Sequence, residues 1–163
     1  MTAIGRPLYP HVHQINISDG GVPKRSVREA RVGVTGVEGD RQRNLKLHGG
    51  VDRAVCLFSL ELLERLQAEG HPIEAGSSGE NLTLAGLEWD LIRLHVVLSV
   101  GPDVLLEVKS HTVPCRRIAA WFRNGDYLRI SEQRNPGWSR VYAKVLREGV
   151  VRPRDEVVLE MID

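Results

Sequence analysis

The stretch "GVEGDRQRNLKLHGGVDRAVCLFS", residues 36–59, decides how the chain is read. Its glycines at 36, 39, 49 and 50 allow positive φ or close approach to a ligand, and they bracket Asp40, His48, Asp52 and Arg53. So much charge beside paired glycines does not suit a strand. It suits a loop that holds a polar ligand and then feeds Ala54-Val55-Cys56-Leu57-Phe58 into a sheet.

Downstream of that strand, Ser59 can cap a helix whose Leu60, Leu63 and Leu66 recur at helical spacing, with Gly70 as its stop. Upstream, residues 12–18 alternate loosely and end at Asp19-Gly20-Gly21, a strand followed by a turn. Residues 27–35 read as a second strand, wet on one face. A loop rich in breakers, residues 71–79, leads to the short apolar run Leu82-Thr83-Leu84. Residues 91–100 and 104–108 are β-rich around the turn Gly101-Pro102-Asp103. Residues 118–122 favour a short helix, and two strands follow at 140–146 and 156–161, separated by Gly149 and Arg152-Pro153-Arg154-Asp155. Many short strands at steady spacing predict a mainly β fold: one barrel-like domain with a few short helices, rather than alternating βαβ units.

A length of 163 residues is right for one domain, 1–163, and sufficient to bury a core without staples. Twenty-two basic against twenty-one acidic residues give a net charge of +1, so no overall field recruits nucleic acid or an anionic membrane. No run suits a signal peptide or a membrane span, and the expected location is cytoplasmic. The two cysteines have opposite surroundings. Cys56 lies in the apolar strand, whereas Cys115 ends the polar run "SHTVPC", residues 110–115. In a reducing compartment this predicts one buried small hydrophobe and one working thiol rather than a disulfide.

Cys115 is therefore the first candidate for chemistry, because a thiolate is both a strong nucleophile and a soft metal ligand. Arg116, Arg117, the start of the following helix and His111 could each favour its charged form. A buried cysteine at a helix start is the alternative. His48 before Gly49-Gly50 can bond an anion or an oxo ligand from a loop, or simply cap a tight turn. Asp52 and Arg53 can pair with each other, or Arg53 can clamp a phosphate. Glu80-Asn81 can read a ligand or hold a loop, and Asp40 is read as a fold-forming acceptor of backbone N–H groups. Lys24 and Lys109 are phosphate candidates for which solvation is the commoner outcome. His11 and His13 share a strand face but lack further ligands at zinc spacing. A cysteine hydrolase can be assembled on paper from Cys115 with His48 or His111, although no spacing demands it. No phosphate-loop, dinucleotide-binding, flavin, haem or iron–sulfur motif is visible.

Five fragments in order, "GGVPK" (20–24), "GDRQ" (39–42), "HGGVDRAV" (48–55), "GENLTLAGL" (79–87) and "PC" (114–115), resemble the MOSC domains. That family is named for the C-terminal domain of molybdenum-cofactor sulfurases, and the likeness runs from about residue 12 to residue 163. The resemblance implies a stand-alone, bacterial-type β domain that binds molybdenum cofactor (molybdopterin) independently of pyridoxal phosphate. Cys115 would ligate molybdenum or carry sulfur as a persulfide. His48, Gly49, Gly50, Asp52, Arg53, Glu80, Asn81 and Arg116 would form the binding set. Two activities are compatible with it. One is a small molybdoenzyme reducing N-hydroxylated small molecules with electrons from an external donor protein. The other is a non-catalytic module passing cofactor or persulfide sulfur between donor and acceptor enzymes. Departures from the family pattern fall at Arg93-Leu94-His95 and Arg154-Asp155, where members commonly have Gly-Asp turns. Another is His111-Thr112-Val113, where some members place an arginine.

Overall fold

The apolar run after the charged loop does form a strand, buried along its whole length. The structure is a computed structural model describing residues 5–41 and 50–160. In chain order its strands are β1 (His11–Ile17), β2 (Arg25–Val27), β3 (Ala30–Gly33), β4 (Gly36–Val37), β5 (Val55–Ser59), β6 (Leu82–Ala85), β7 (Val97–Val100), β8 (Val104–His111), β9 (Val141–Arg147), β10 (Gly149–Val151) and β11 (Val157–Glu160). Among the described residues one α-helix, α1 (Leu60–Ala68), follows β5, and short 3-10 turns make up the other helical structure.

Eight strands form one sheet in the order β11-β7-β8-β9-β5-β6-β1-β2, and β10-β3-β4 form a second. The ladder is open in strand order, so the barrel-like expectation is met only in part. Its two sides meet through the bridge His11↔Glu156 and the bonds Val12 N–H to Asp155 O, Arg154 N–H to Val12 O and Val157 N–H to Pro10 O. Among the described strand pairs one, β5 with β6, is parallel and joined through α1 as a βαβ unit, while the other strand pairs are antiparallel. The helix starts where Ser59 Oγ accepts a bond from Leu62 N–H at 3.2 Å, and Gly70 leaves it at φ 97°. Leu62, Leu63 and Leu66 lie on its inner side, in one core with Leu57, Phe58, Leu82 and Leu84.

Several boundaries differ from the sequence expectation. The single strand expected at 27–35 is broken into β2, β3 and β4, because Arg28-Glu29 and Val34-Thr35 turn the chain. The β-rich run at 91–100 is strand only from Val97, since Trp89–Leu91 forms a 3-10 turn with Trp89 buried against Phe58 and its Nε1–H bonded to Ser139 O. Gly149, expected to separate strands, begins β10. In the turns that lack the family's glycine the backbone still takes positive φ: His95 sits at φ 74° and Arg154 at φ 76°. Both accept a left-handed conformation that costs an L residue about 1–2 kcal/mol.

Gly76 is held by a close approach, since a Cβ there would lie 2.5 Å from Lys24 O while φ is +89°. Gly76→Ala should therefore lose more than about 2 kcal/mol in urea unfolding, the left-handed cost plus a backbone displacement. Gly50→Ala is the comparison, because among the described residues nothing lies within 4 Å of its Cβ position, so it carries only the strain of φ 99° and ψ 161°, about 1–3 kcal/mol.

Candidate functional site

Neighbouring strands β8, β9, β5, β6 and β1 bring five segments together around a cleft that opens to solvent. They are the turn after β1 (Gly21, Val22, Lys24), Arg41, the residues entering β6 (Ser78, Gly79, Asn81), the loop after β8 (Thr112 to Ile118) and the entry to β9 (Arg140, Tyr142). Cys56 lies between them, paired in register with Tyr142 across β5 and β9.

Asp40 fastens the first three segments. Its carboxylate accepts from Ser18 N–H at 2.9 Å, from Lys24 Nζ at 2.7 Å on both oxygens, and from Asn81 Nδ2 at 2.9 Å. Asn81 continues the chain of bonds, accepting Cys56 N–H on Oδ1 and donating to Asn16 O. Glu80, fully buried, accepts from Gly76 N–H, Ser78 Oγ and Thr83 Oγ1. Burial pushes its carboxyl up from the ordinary range, against those three donors.

On the opposite side, Thr112 N–H donates to Arg140 O and Ser139 Oγ donates to Thr112 O, tying the Pro114-Cys115 loop to β9. Cys115 precedes the 3-10 turn Arg116–Trp121 in extended conformation, and its side chain makes no capping bond. The thiol is partly exposed and lines the cleft, whereas Cys56 is buried with Sγ 3.7 Å from Thr112 Oγ1. Burial raises the Cys56 thiol and the Tyr142 phenol alike, so both keep their protons. Among the described residues, the lining carries four cations, Lys24, Arg41, Arg117 and Arg140, and no carboxylate.

The expected residues divide clearly. Cys115 and Asn81 line the cleft. Gly50 and Asp52 are exposed, Gly50 preceding the 3-10 turn Val51–Arg53 at φ 99°. The guanidinium of Arg53 stands 5.8 Å from the ring centroid of Tyr142, at the border of the cleft. Glu80 is turned away into its own hydrogen bonds and holds the loop. Arg116 is exposed and outside the lining, which its neighbour Arg117 joins. His48 and Gly49 lie outside the described residues. His111 faces a different groove, 3.7 Å from Glu132, and Lys109 pairs with Glu107. Lys24 is neither solvated nor free: its side chain is 9% exposed and paired with Asp40. Sequence reasoning missed Arg140 and Tyr142 because strand periodicity places them with core residues, and nothing local marks the cleft they face.

The fold and the cleft define a small β domain that can hold an anionic ligand beside a thiol. The chain belongs to the MOSC domain family, whose model matches residues 44–158. It is 32% identical over 117 residues to YflK of Bacillus subtilis (strain 168), covering 71% of this chain and 52% of YflK. It is 29% identical over 130 residues to a protein of Gibberella moniliformis named "Reductase", covering 77% of this chain and 22% of that protein. The chain thus spans about half the length of YflK and a fifth of the Reductase. YiiM from Geobacillus stearothermophilus superposes with a TM-score of 0.70 at 27% identity, over 93% of this chain and 75% of YiiM. Association with molybdenum cofactor belongs to the family. Among the described residues no helix is long and apolar enough to cross a membrane.

Two outcomes follow from this geometry. Iodoacetamide should label Cys115 in the folded protein and Cys56 at least about a hundredfold more slowly, because Cys56 must await opening of the structure; peptide mass spectrometry reads both. For Glu80, the folded state holds the proton to higher pH than the unfolded chain. Its contribution to stability is full below about pH 4.3 and is lost as pH rises through the raised value. Glu80→Gln has no such titration, so wild-type stability should fall relative to Glu80→Gln in urea unfolding from about pH 4 to about pH 8. A flat difference would contradict the raised carboxyl.

Proposed function

We propose that the cleft binds molybdenum cofactor with Cys115 as the protein thiolate on molybdenum. On this reading the protein is a small reductase of N-hydroxylated compounds, fed by an external electron donor. One observation carries the reading: the partly exposed, uncapped thiol of Cys115 opens into a cleft lined, among the described residues, by four cations and no carboxylate. That donor set fits an anionic cofactor bearing a soft metal. The name of the Gibberella relative agrees with a reductive role.

When bound, molybdenum supplies two-electron chemistry, in which R–NHOH with two electrons and two protons gives R–NH2 and water. Cys115 supplies the thiolate. Cys56, raised by burial, stays protonated and does not compete for the metal. Lys24 and Arg41 offer positive charge on the β1 side, Lys24 fixed in place by Asp40. Asn81, with its amide committed to Asp40, Asn16 and Cys56, forms a rigid wall. Tyr142 keeps its phenolic proton at the cleft and borders Arg53. His48 and Gly49 complete the set that the family pattern implies. Electrons enter from a separate donor protein.

The test is metal and pterin analysis of wild type, Cys115→Ala and Cys56→Ala, all produced in a host that makes molybdenum cofactor. Wild type and Cys56→Ala should carry near-stoichiometric molybdenum, and a folded Cys115→Ala should lose at least about tenfold. Loaded wild type should oxidise a reductant only when an N-hydroxylated substrate is present. Equal loss in both cysteine variants would overturn the assignment of the thiols. Wild type free of metal and pterin but persulfidated at Cys115 would replace the reductase with a sulfur carrier.

A further inference from the structure

Arg140 is the one cleft cation whose charge has no partner among the described residues that explains its burial. Its residue is 6% exposed. Its guanidinium donates one hydrogen bond, from Nη1 to Ser78 O, and no carboxylate pairs with it. Nε is buried without any partner. Lys24, by contrast, is neutralised by Asp40, and Arg41 stands 3.8 Å from Asp19 in full solvent. Arg140 lines the same cleft as Cys56 and Tyr142, and its charge reaches both their side chains. A buried guanidinium without an ion-pair partner is costly for a folded chain. At the wall of an open cleft, a ligand can supply that partner.

We infer that Arg140 is an oxyanion-binding residue of the Cys115 cleft, its guanidinium, whose Nε is left unsatisfied, receiving a phosphate or carboxylate group of the bound ligand. Three features prepare it. Ser78 O fixes the guanidinium from one side, and Ser78 itself is set by its hydroxyl bond to Glu80 Oε1. Ser139 Oγ and Thr112 N–H hold the Arg140 carbonyl, so the backbone cannot slide away. The neighbouring carboxyls are already engaged, Asp40 by Ser18, Lys24 and Asn81 and Glu80 by Gly76, Ser78 and Thr83. An arriving oxyanion therefore meets donors already oriented and no fixed negative charge on the lining.

The inference deepens the cofactor reading of the same cleft, but its test needs no cofactor. The full chain, made in a host without molybdenum cofactor, is titrated with inorganic phosphate by calorimetry, beside Arg140→Gln and Arg140→Lys. Gln keeps a donor for Ser78 O while removing the charge, and Lys keeps the charge while removing the fork. Wild type should bind phosphate at one site, with affinity about tenfold lower in Arg140→Gln and partly restored in Arg140→Lys. Equal affinity in wild type and Arg140→Gln, or no binding by wild type, would overturn the inference. Should Arg140→Gln not fold, Arg140→Lys decides: unchanged affinity with the fork gone overturns the role of Nε, and a fall supports it. Cofactor content then identifies the source of the oxyanion. Loss of pterin from Arg140→Gln made in a cofactor-producing host assigns it to the cofactor phosphate, whereas full loading with weakened phosphate binding assigns it to the substrate. A wild type that binds phosphate yet never loads molybdenum keeps this inference and refutes the cofactor reading alone.

Discussion

The buried Asp40 carboxylate is the constraint on which the cleft depends. Its side chain is 5% exposed, yet it is surrounded by donors from three separate segments: Ser18 N–H, Lys24 Nζ and Asn81 Nδ2. Removing a carboxylate and an ammonium from water costs several kcal/mol each, and only close geometry with every lone pair engaged recovers it. Here the two 2.7 Å contacts to Lys24 leave capacity that Ser18 and Asn81 fill. The arrangement is worth more as a position than as stability. It locks the turn after β1, the Gly39–Asp40 turn and the entry to β6 at fixed distances, and Asn81 passes the constraint to Cys56 N–H at the start of β5. Asp40 and Glu80 are thereby both spent on scaffolding, and among the described residues the lining is left cationic.

The opposite wall is fixed by neutral bonds. Thr112 and Ser139 clamp Arg140, and β9 pairs with both β8 and β5, which sets Cys56 beside Tyr142 while the β8 loop carries Cys115 to the rim. Two walls built in different ways meet over one cavity: a charged, self-satisfied wall and a wall whose guanidinium lacks a partner. Such an imbalance is what a pre-organised anion site requires, because donors already satisfied internally would have to break bonds before binding.

Much of this was legible in the sequence, and for identifiable reasons. The apolar run at 54–58 announced β5 and Ser59 its helix, since burial on both faces and cap chemistry leave local traces. Asp40 was readable as a fold-forming acceptor because it follows Gly39, and Cys56 and Cys115 were separable by their neighbours. The break at Arg28-Glu29 was not readable because no Gly or Pro marks it, and the break at Val34-Thr35 was hidden by the β-branched residues of the window although Gly33 and Gly36 flank it. Lys24 looked solvated because its carboxylate partner stands sixteen positions away. Arg140 was invisible for a like reason: its significance lies in an absent partner, and only tertiary packing shows that a partner is missing.

The two thiols show how burial alone can divide labour within one cavity. Both line the cleft, and both are near the same phenol. Cys56 sits in a strand with its Sγ against Thr112 Oγ1, where desolvation holds the proton on sulfur. Arg140, whose charge pulls the other way on that thiol, does not reverse the outcome. Cys115 has an extended backbone, no capping duty and a partly exposed place at the rim. Burial thus holds the proton on the strand thiol, while the other thiol of the cleft stays in reach of solvent. The choice between them is made by position in the sheet rather than by any residue that touches both.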